Sequence, residues 1–291
     1  MTTWNPSENY RKIAEANRTF YSLNAQQYDA TENCVSDHRI QSSLESDLDR
    51  VISFVGKPAS QIRALDACGG SGNISLKLLK RGVKVKLADI SPDLQEIFRA
   101  KCSERGLVPE TVCSEIASFL AQTEETFDLV VFSSALHHLE NISEVLALVF
   151  KRLNPGGIVF TTFDPTRRDR ISAVSKMLCR AEYYFFKAIC QTGDLPKAVA
   201  RRTRRILSGS SAADKASVTI NNDTAGMLAE YHVEKGIDDL ELVGQLRKIG
   251  FEVIAHERRA DTRFALVGRM IARLGDVTSF KLILCKPGRS D

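Results

Sequence analysis

Two adjacent histidines have the residue type and position to support proton transfer. His137 and His138 directly follow the apolar run FDLVVFSSAL. A histidine side chain exchanges its proton near neutral pH, so either residue is a candidate general base. The alternative is that the pair is structural and closes a neighbouring pocket. No metal site is expected here, because the sequence places no further histidine or carboxylate at ligand spacing nearby.

A glycine-rich stretch, LDACGGSGN at residues 65–73, follows another apolar run and precedes a helical pattern. Gly70 and Gly72 would let the backbone approach a polar ligand, which the N–H groups at the start of the helix would face. A dinucleotide fingerprint needs a further Gly or Ala where this chain has Ser75, and the Gly-Lys-Ser/Thr ending of a phosphate loop is absent. Taken alone, the stretch is also compatible with a structural strand-to-helix turn.

An aspartate follows this turn at an informative distance. Asp89 ends the apolar run VKVKLAD, about 20 residues beyond the glycines, where an acidic side chain accepts the ribose hydroxyls of a bound nucleoside. The turn and Asp89 together therefore favour a ligand with both a nucleoside and a polar end.

A repeated alternation of short apolar runs and helical segments must position these residues. The predicted strands are 64–67, 83–89, 111–113, 127–133, 158–163, 251–257 and 279–286. The predicted helices that separate them are 74–81, 91–106, 142–153 and one that Asp238 caps and Gly250 ends. Apolar strands without polar alternation, separated by helices, predict an α/β fold with a mostly parallel sheet covered on both faces.

Four motifs in order carry a family resemblance. LDACGGSGN, LADIS, FDLVVFSSALHHL and LNPGG resemble the class I S-adenosylmethionine (SAM)-dependent methyltransferases, and among them the small-molecule group that includes the ubiquinone/menaquinone methyltransferases. The match covers residues 61–163, with weaker support at 10–40 and 238–286. It implies a Rossmann-like, seven-stranded, mostly parallel sheet in the order 3-2-1-4-5-7-6, with the last strand antiparallel and helices on both faces.

The resemblance also implies a division of the chain and a cofactor. The cofactor would be SAM, with S-adenosylhomocysteine as product. The expected parts are an N-terminal helical lid, a SAM-binding core, a helical substrate-cap insertion and the C-terminal part of the core, at 1–56, 57–164, 165–235 and 236–291.

Residue by residue, the resemblance implies a donor site. Asp66 and the glycine turn would hold the amino and carboxylate groups of the methionine moiety, Asp89 the ribose, and Ile90 would pack on the adenine. Cys68 stands where the family usually has glycine, and the sequence VCSEIASFL departs from the usual Asp-bearing pattern near the adenine. The full predicted set is Tyr21, Tyr28, Asp66, Ala67, Cys68, Gly70, Gly72, Asp89, Ile90, Ser114, Glu115, Ser133 and Ala135. For the two tyrosines of this set, plain helix packing is the alternative.

A basic segment follows the fifth predicted strand. Residues 167–205 carry eleven Lys or Arg against three Asp or Glu, within a chain of net charge +4. Apolar residues recur there at helical spacing, at Ile171, Val174, Leu178, Ala181, Phe185 and Ala188. The segment is either a lid helix packed on the core, or a cap over a lipophilic or aromatic acceptor that also touches an anionic membrane surface. Acidic acceptors, carrier-bound or phosphorylated, are a further alternative. Nucleic acid is disfavoured as a partner, because the cluster RRTRR lacks interleaved aromatic residues.

Composition and motifs together give the functional expectation. Seven cysteines without a CxxC pair indicate a reducing compartment, and no run approaches the roughly 18 apolar residues of a membrane span, so a cytoplasmic protein is expected. We expect SAM-dependent O- or C-methylation of a small hydrophobic or aromatic acceptor in quinone or secondary-metabolite biosynthesis. The alternatives are a SAM-binding regulator, a non-methylating enzyme on the same fold, and an RNA or protein methyltransferase. The nucleic-acid amino-methyltransferase motif [DN]PP[YFW] is replaced here by SSALHH.

Overall fold

The computed structural model describes residues 7–31, 35, 38–192, 236–262 and 264–288, and its centre is a seven-stranded sheet in the order β3-β2-β1-β4-β5-β7-β6. The strands are β1 Arg63–Ala67, β2 Lys84–Asp89, β3 Glu110–Cys113, β4 Phe127–Ser133, β5 Leu153–Pro165, β6 Glu252–Arg259 and β7 Ser279–Cys285. Strands β1 to β5 pair in parallel, and β7 pairs antiparallel with both β5 and β6. The predicted order and the antiparallel last strand are confirmed.

Helices cover both faces of the sheet. They are α1 Glu8–Thr31, α2 His38–Val55, α3 Asn73–Lys80, α4 Pro92–Ser103, α5 Ile116–Gln122, α6 Ile142–Arg152, α7 Ala173–Thr192, α8 Asp239–Ile249 and α9 Ala265–Arg273. Successive residues of β4 alternate between two apolar clusters. Val130 and Phe132 pack with α5, α6 and α8, whereas Leu129 and Val131 pack with α2 and α3. This alternation explains why β4 is apolar at nearly every position.

The two helices of the predicted lid, 1–56, lie in different places. Helix α2 buries Leu44, Leu48 and Val51 in the apolar cluster on one face of the sheet, while α1 contacts α4 and the loops at the carboxyl ends of the strands. Of the predicted cap insertion, 165–235, residues 193–235 lie outside the described part of the chain, as does the RRTRR cluster.

Strand β5 is longer than predicted and contains two irregularities. It begins at Leu153 rather than 158, because its pairing with β4 moves from Phe127–Leu153 directly to Leu129–Ile158 and leaves the NPGG residues between these pairs. Its pairing with β7 shifts again between Thr161 and Asp164, where Phe163 has a left-handed backbone. A bulge of this kind changes the direction in which the next side chain points, and Asp164 is fully buried.

Helix α9 was not predicted. It lies between β6 and β7 and buries Gly268 and Ile271. Leu266 and Met270 instead face outward, so the apolar residues of this segment do not mark a single buried face. Along the described part of the chain, no helix combines the length and apolar character needed to cross a membrane.

Candidate active site

A cleft lies at the carboxyl ends of β1, β2 and β4, beneath α1. It contains about 720 Å³ of space between atoms, part of it open to solvent. Ten of the predicted residues line it: Tyr21, Tyr28, Cys68, Gly70, Asp89, Ile90, Ser114, Glu115, Ala135 and His138. Asp66, Ala67, Gly72, Ser133 and His137 are not among its lining residues.

Asp89 is fixed by the glycine turn. Gly70 N donates to Asp89 Oδ2 at 2.8 Å, and Ser91 N donates to Asp89 Oδ1 at 2.8 Å. Burial raises the pKa of Asp89, while these backbone N–H groups act in the opposite direction. Because Gly70 has a φ of +53° and Asp89 lines the cleft, the turn holds a carboxylate at the site in a single orientation.

Gly72 and Asp66 form the support beneath this turn. Gly72 has a φ of +82° and precedes α3, and a Cβ at this position would lie 2.0 Å from the Phe98 ring. Ser75 N and Ser75 Oγ donate to Asp66 Oδ2 at 2.9 and 2.6 Å, and burial raises the pKa of Asp66 to about 6. Both residues therefore fix the start of α3, a role that the sequence analysis did not separate from ligand contact.

Helix α1 closes the cleft with three tyrosines. Tyr21 and Tyr28 contact each other edge to face with ring centroids 5.8 Å apart, and Tyr28 lies over Gly70, 3.7 Å from the position of a Cβ there. Tyr10 was missed, although the spacing of Tyr10, Ile13, Asn17 and Tyr21 places all four on one helical face. This spacing was the signal that would have identified it.

Glu115 connects α1 to α5. Tyr10 Oη donates to Glu115 Oε1 at 2.5 Å, and burial together with the Glu115 charge raises the pKa of Tyr10. Ala117 N and Ser118 N donate to the two Glu115 oxygens at 2.8 Å each, so Glu115 is the N-cap of α5. The Glu115 carboxylate therefore joins α1 to the start of α5, and the neighbouring Ser114 donates through its N–H to the Asp89 carbonyl and through its hydroxyl to the Glu115 carbonyl.

The two histidines have different surroundings. His137 is buried, and its backbone N and Nδ1 lie 3.2 and 2.9 Å from Asp164 Oδ1. His138 lines the cleft, and its Nε2 lies 2.8 Å from Tyr21 Oη. Asn17 Nδ2 also donates to the His138 carbonyl at 3.2 Å. Of the two histidines, His138 is thus the one that a ligand in the cleft can contact.

Asp164 is a buried partner of His137 that the sequence analysis did not identify. Burial raises its pKa to about 7, while the N–H groups of the loop above it act in the opposite direction. It reaches His137 only because of the bulge at Phe163, and no sequence motif marks it. At the same loop, Ser134 rather than the predicted Ser133 lines the cleft, because Ser134 adopts a φ of +55° as the chain leaves β4.

The family comparison agrees with this geometry. Residues 64–157 match the family model described as a methyltransferase domain. Residues 64–157 therefore carry a methyltransferase domain. Within the described residues, no group of three His, Cys, Asp or Glu side chains is arranged to hold a metal ion.

Relatives of this methyltransferase domain differ in their acceptors. The chain is 30% identical over 128 residues to the tRNA 5-carboxymethoxyuridine methyltransferase of Escherichia coli K12, covering 42% of this chain and 47% of the relative. It is 27% identical over 156 residues to the ubiquinone/menaquinone biosynthesis C-methyltransferase UbiE of Zymomonas mobilis, covering 53% and 62%. The chain thus spans less than two thirds of the length of these relatives.

Solved structures share the fold of the methyltransferase domain. Magnesium protoporphyrin IX methyltransferase from Synechocystis PCC 6803 with bound SAH aligns at 13% identity and a TM-score of 0.55, covering 94% of this chain and 99% of that one. The [4+2]-cyclase SpnF aligns at 16% identity and a TM-score of 0.58, covering 93% and 95%. Because one of these proteins is named a cyclase, the fold by itself does not decide the reaction.

Proposed function

We propose that this protein transfers a methyl group from SAM to a small hydrophobic or aromatic acceptor. The observation that carries the proposal is the position of His138 and Tyr21 in the same cleft as the Gly70–Asp89 turn. When bound, SAM supplies a methyl group on a cationic sulfur. The protein must hold the donor, align the acceptor with it and exclude water.

The residues on the β1 and β2 side fit the donor. Asp89 accepts hydrogen bonds from the ribose hydroxyls, Ile90 packs against the adenine, and the turn at Gly70 admits the amino-acid end. Asp66 supports this side indirectly, because it holds the start of α3 through Ser75. The match of 64–157 to a methyltransferase domain supports this donor assignment.

The residues on the α1 and β4 side fit an apolar acceptor. Ile13 of α1 lines the cleft together with Ala135 and Leu139, which follow β4, and apolar walls of this kind bind lipophilic or aromatic groups. His138, paired with the Tyr21 hydroxyl, takes the proton that an acidic hydroxyl or carbon loses on methylation. The relation to UbiE of Zymomonas mobilis supports an acceptor of this class.

An RNA acceptor is the second candidate, because the tRNA 5-carboxymethoxyuridine methyltransferase of Escherichia coli is a relative at 30% identity. Against it stands the cover that α1 places over the cleft through the contact of Tyr10 with Glu115. A covered apolar cleft suits a small acceptor better than a nucleotide within a polymer.

Calorimetry tests the donor site. Wild-type protein is expected to bind SAM and S-adenosylhomocysteine, and Asp89→Ala to weaken this by roughly 10- to 150-fold, since a hydrogen bond to a charged group contributes roughly 1.5–3 kcal/mol. Asp93→Ala, an exposed carboxylate nearby on α4, is the matched control and should leave the affinity unchanged. Wild-type protein that binds neither ligand would contradict the proposal.

Methyl-labelled SAM tests the acceptor. The protein is incubated with labelled SAM and, separately, with a cell lipid extract, a small-metabolite extract or total RNA. Label is expected in the lipid or metabolite fraction. Label in RNA would instead indicate an RNA acceptor, as in the related tRNA methyltransferase. Label in no fraction would favour a SAM-binding regulator.

A further inference from the structure

Helix α7 exposes an apolar stripe to solvent. Val174, Met177, Ala181 and Tyr184 recur at spacings of three, four and three residues, and all four are exposed. Met177 is 62% exposed, whereas Ser175 on the opposite face is buried. A helix that packs on a core places its apolar residues inward. Of the apolar residues that recur at helical spacing in this segment, Ile171 is buried, whereas Val174, Ala181 and Phe185 are exposed.

Helix α9, which contacts α7, also exposes apolar residues to solvent. Leu266, Met270 and the following Leu274 recur every fourth residue and are 62%, 42% and 50% exposed. The inner face of α9 is already complete, because Ile271 is fully buried and a Cβ on Gly268 would lie 2.7 Å from the Ala260 carbonyl oxygen. The outer apolar residues are thus not required for packing within the described part of the chain.

The two exposed faces are continuous. Phe185 of α7 and Phe264 at the start of α9 contact edge to face with ring centroids 5.7 Å apart, and both rings are exposed. Phe264 N also donates to Glu182 Oε1 at 2.6 Å, which fixes one helix to the other. We call this continuous surface the α7–α9 face.

The α7–α9 face is cationic. Arg180, Arg269 and Arg273 are exposed on the two helices, and Arg168 is exposed just before α7. Within the described part of the chain, none of these four arginines forms a salt bridge with a carboxylate. Glu182 is the one acidic residue in 173–185 and 265–274, and it is engaged with Phe264. Two carboxylates lie beside these helices, where Asp169 pairs with Arg167 and Asp276 accepts from Ser172. Exposed apolar side chains between unpaired arginines complement a surface that is both anionic and apolar.

The α7–α9 face lies at the edge of the sheet that carries the cleft. Strands β5 and β6 run in the same direction, because both pair antiparallel with β7. Helix α7 follows the carboxyl end of β5 and α9 follows that of β6, and the cleft lies at the carboxyl ends of β1, β2 and β4. A surface bound to this face would therefore lie on the side from which a lipophilic acceptor must arrive.

We propose that the α7–α9 face binds an anionic lipid membrane surface, so that the protein works at the membrane in which its acceptor dissolves. This inference rests on the proposed lipophilic acceptor. A lipid surface fits this face better than RNA does. RNA phosphates would contact the arginines but not the exposed Leu, Met and Val side chains, whereas an anionic lipid surface would contact both.

Vesicle flotation tests the proposal. The full chain is mixed with vesicles of phosphatidylcholine alone or of phosphatidylcholine with phosphatidylglycerol, without SAM or acceptor. The wild type is expected to float with the anionic vesicles only. Arg269→Glu with Arg273→Glu is expected to lower the affinity by roughly 25-fold or more, since each arginine near an anionic surface contributes roughly fivefold. Met177→Gln with Met270→Gln, which keeps the charge, is expected to lower it as well.

The matched control is Lys80→Glu with Lys84→Glu. It makes the same change in net charge at the end of α3 and the start of β2, at the opposite edge of the sheet, and is expected to leave flotation within about twofold because salt screens distant charges. An equal loss in this control, binding to neutral vesicles alone, or no binding would overturn the proposal. Two other results would also overturn the proposal. One is that the protein binds total RNA but not vesicles, and that Arg269→Glu with Arg273→Glu abolishes the RNA complex. The other is that light scattering shows a dimer, which this variant dissociates.

Calorimetry with SAM on the same variants separates this inference from the proposed function. Intact SAM binding without flotation rejects the α7–α9 face alone. Flotation without SAM binding by the wild type rejects the proposed methyl transfer and leaves the membrane surface standing.

Discussion

Gly70, Gly72 and Gly82 all have left-handed backbones, and alanine substitutions can test why each of these positions is glycine. A Cβ on Gly72 would lie 2.0 Å from the Phe98 ring, whereas a Cβ on Gly82 would meet nothing within 4 Å. A Cβ on Gly70 would meet Tyr28 at 3.7 Å and Leu94 at 3.8 Å, both ordinary contact distances, and would point into the cleft that these residues line. Their φ angles are +53°, +82° and +80° for Gly70, Gly72 and Gly82. Alanine at each position therefore separates backbone strain, packing and ligand contact.

The magnitudes follow from these contacts. A left-handed backbone costs alanine roughly 1–2 kcal/mol, and this is the whole expected loss in the free energy of unfolding for Gly82→Ala. Gly72→Ala adds an overpacked contact with Phe98 of roughly 1–3 kcal/mol, for a total of roughly 2–5 kcal/mol. Gly70→Ala should destabilise the fold about as much as Gly82→Ala, but its methyl group should also weaken SAM binding.

Urea unfolding and calorimetry measure the three variants. If Gly72→Ala and Gly82→Ala lose the same stability, the contact between the turn and Phe98 is not the reason for Gly72. If Gly70→Ala binds SAM as tightly as Gly82→Ala does, the donor does not approach the backbone at Gly70. Both results together would refute the distinction drawn between the ligand side and the packing side of this turn.

Two further predictions concern the loop after β4. His138→Gln is expected to slow methyl transfer by roughly 10²- to 10⁴-fold, with SAM affinity unchanged in calorimetry. Tyr21→Phe is expected to slow methyl transfer less. If His137→Gln alone shows the larger loss of rate, the assignment of His138 as the base is contradicted. Burial raises the pKa of Asp164 to about 7 from about 3.9 in the unfolded chain, so folding takes up a proton and stability falls as the pH rises through that window. Asp164→Asn removes this pH dependence. The free energy of unfolding of the variant, minus that of the wild type, should therefore rise with pH by at most about 1.4 kcal/mol per pH unit. A difference that stays constant in urea titrations between pH 4 and about 7 would contradict this prediction.

The donor side of the site was predictable because its signals are local in sequence. The apolar runs that became β1, β2 and β4 end close to Asp66, Asp89 and Ser133, and parallel strands bring such ends to one edge of the sheet. The order of the strands came from the family resemblance rather than from the pattern. The boundary of β5 was wrong, because its first residue pairs with β4 across the NPGG turn, which no local signal shows.

The acceptor side was less predictable because its contacts join distant parts of the chain. Tyr10 meets Glu115, and Tyr21 meets His138, over separations of more than a hundred residues. These pairs depend on how α1 crosses the sheet edge, which is a matter of packing and not of local preference. Helix α9 was not predicted, and periodicity alone would not have told its buried face from its exposed one.

The sequence by itself determined the fold class, the strand-to-helix turn at Gly70 and the acidic residue at the end of β2, because backbone conformation and apolar periodicity are local properties. Only the tertiary structure decided which of two adjacent histidines faces the cleft. A left-handed Ser134 turns the chain, and Asp164, placed by the bulge at Phe163, holds His137 in the core while His138 points to Tyr21. Side chains of neighbouring residues in a loop take their directions from such contacts, and those contacts exist only once β4, β5 and α1 have packed together.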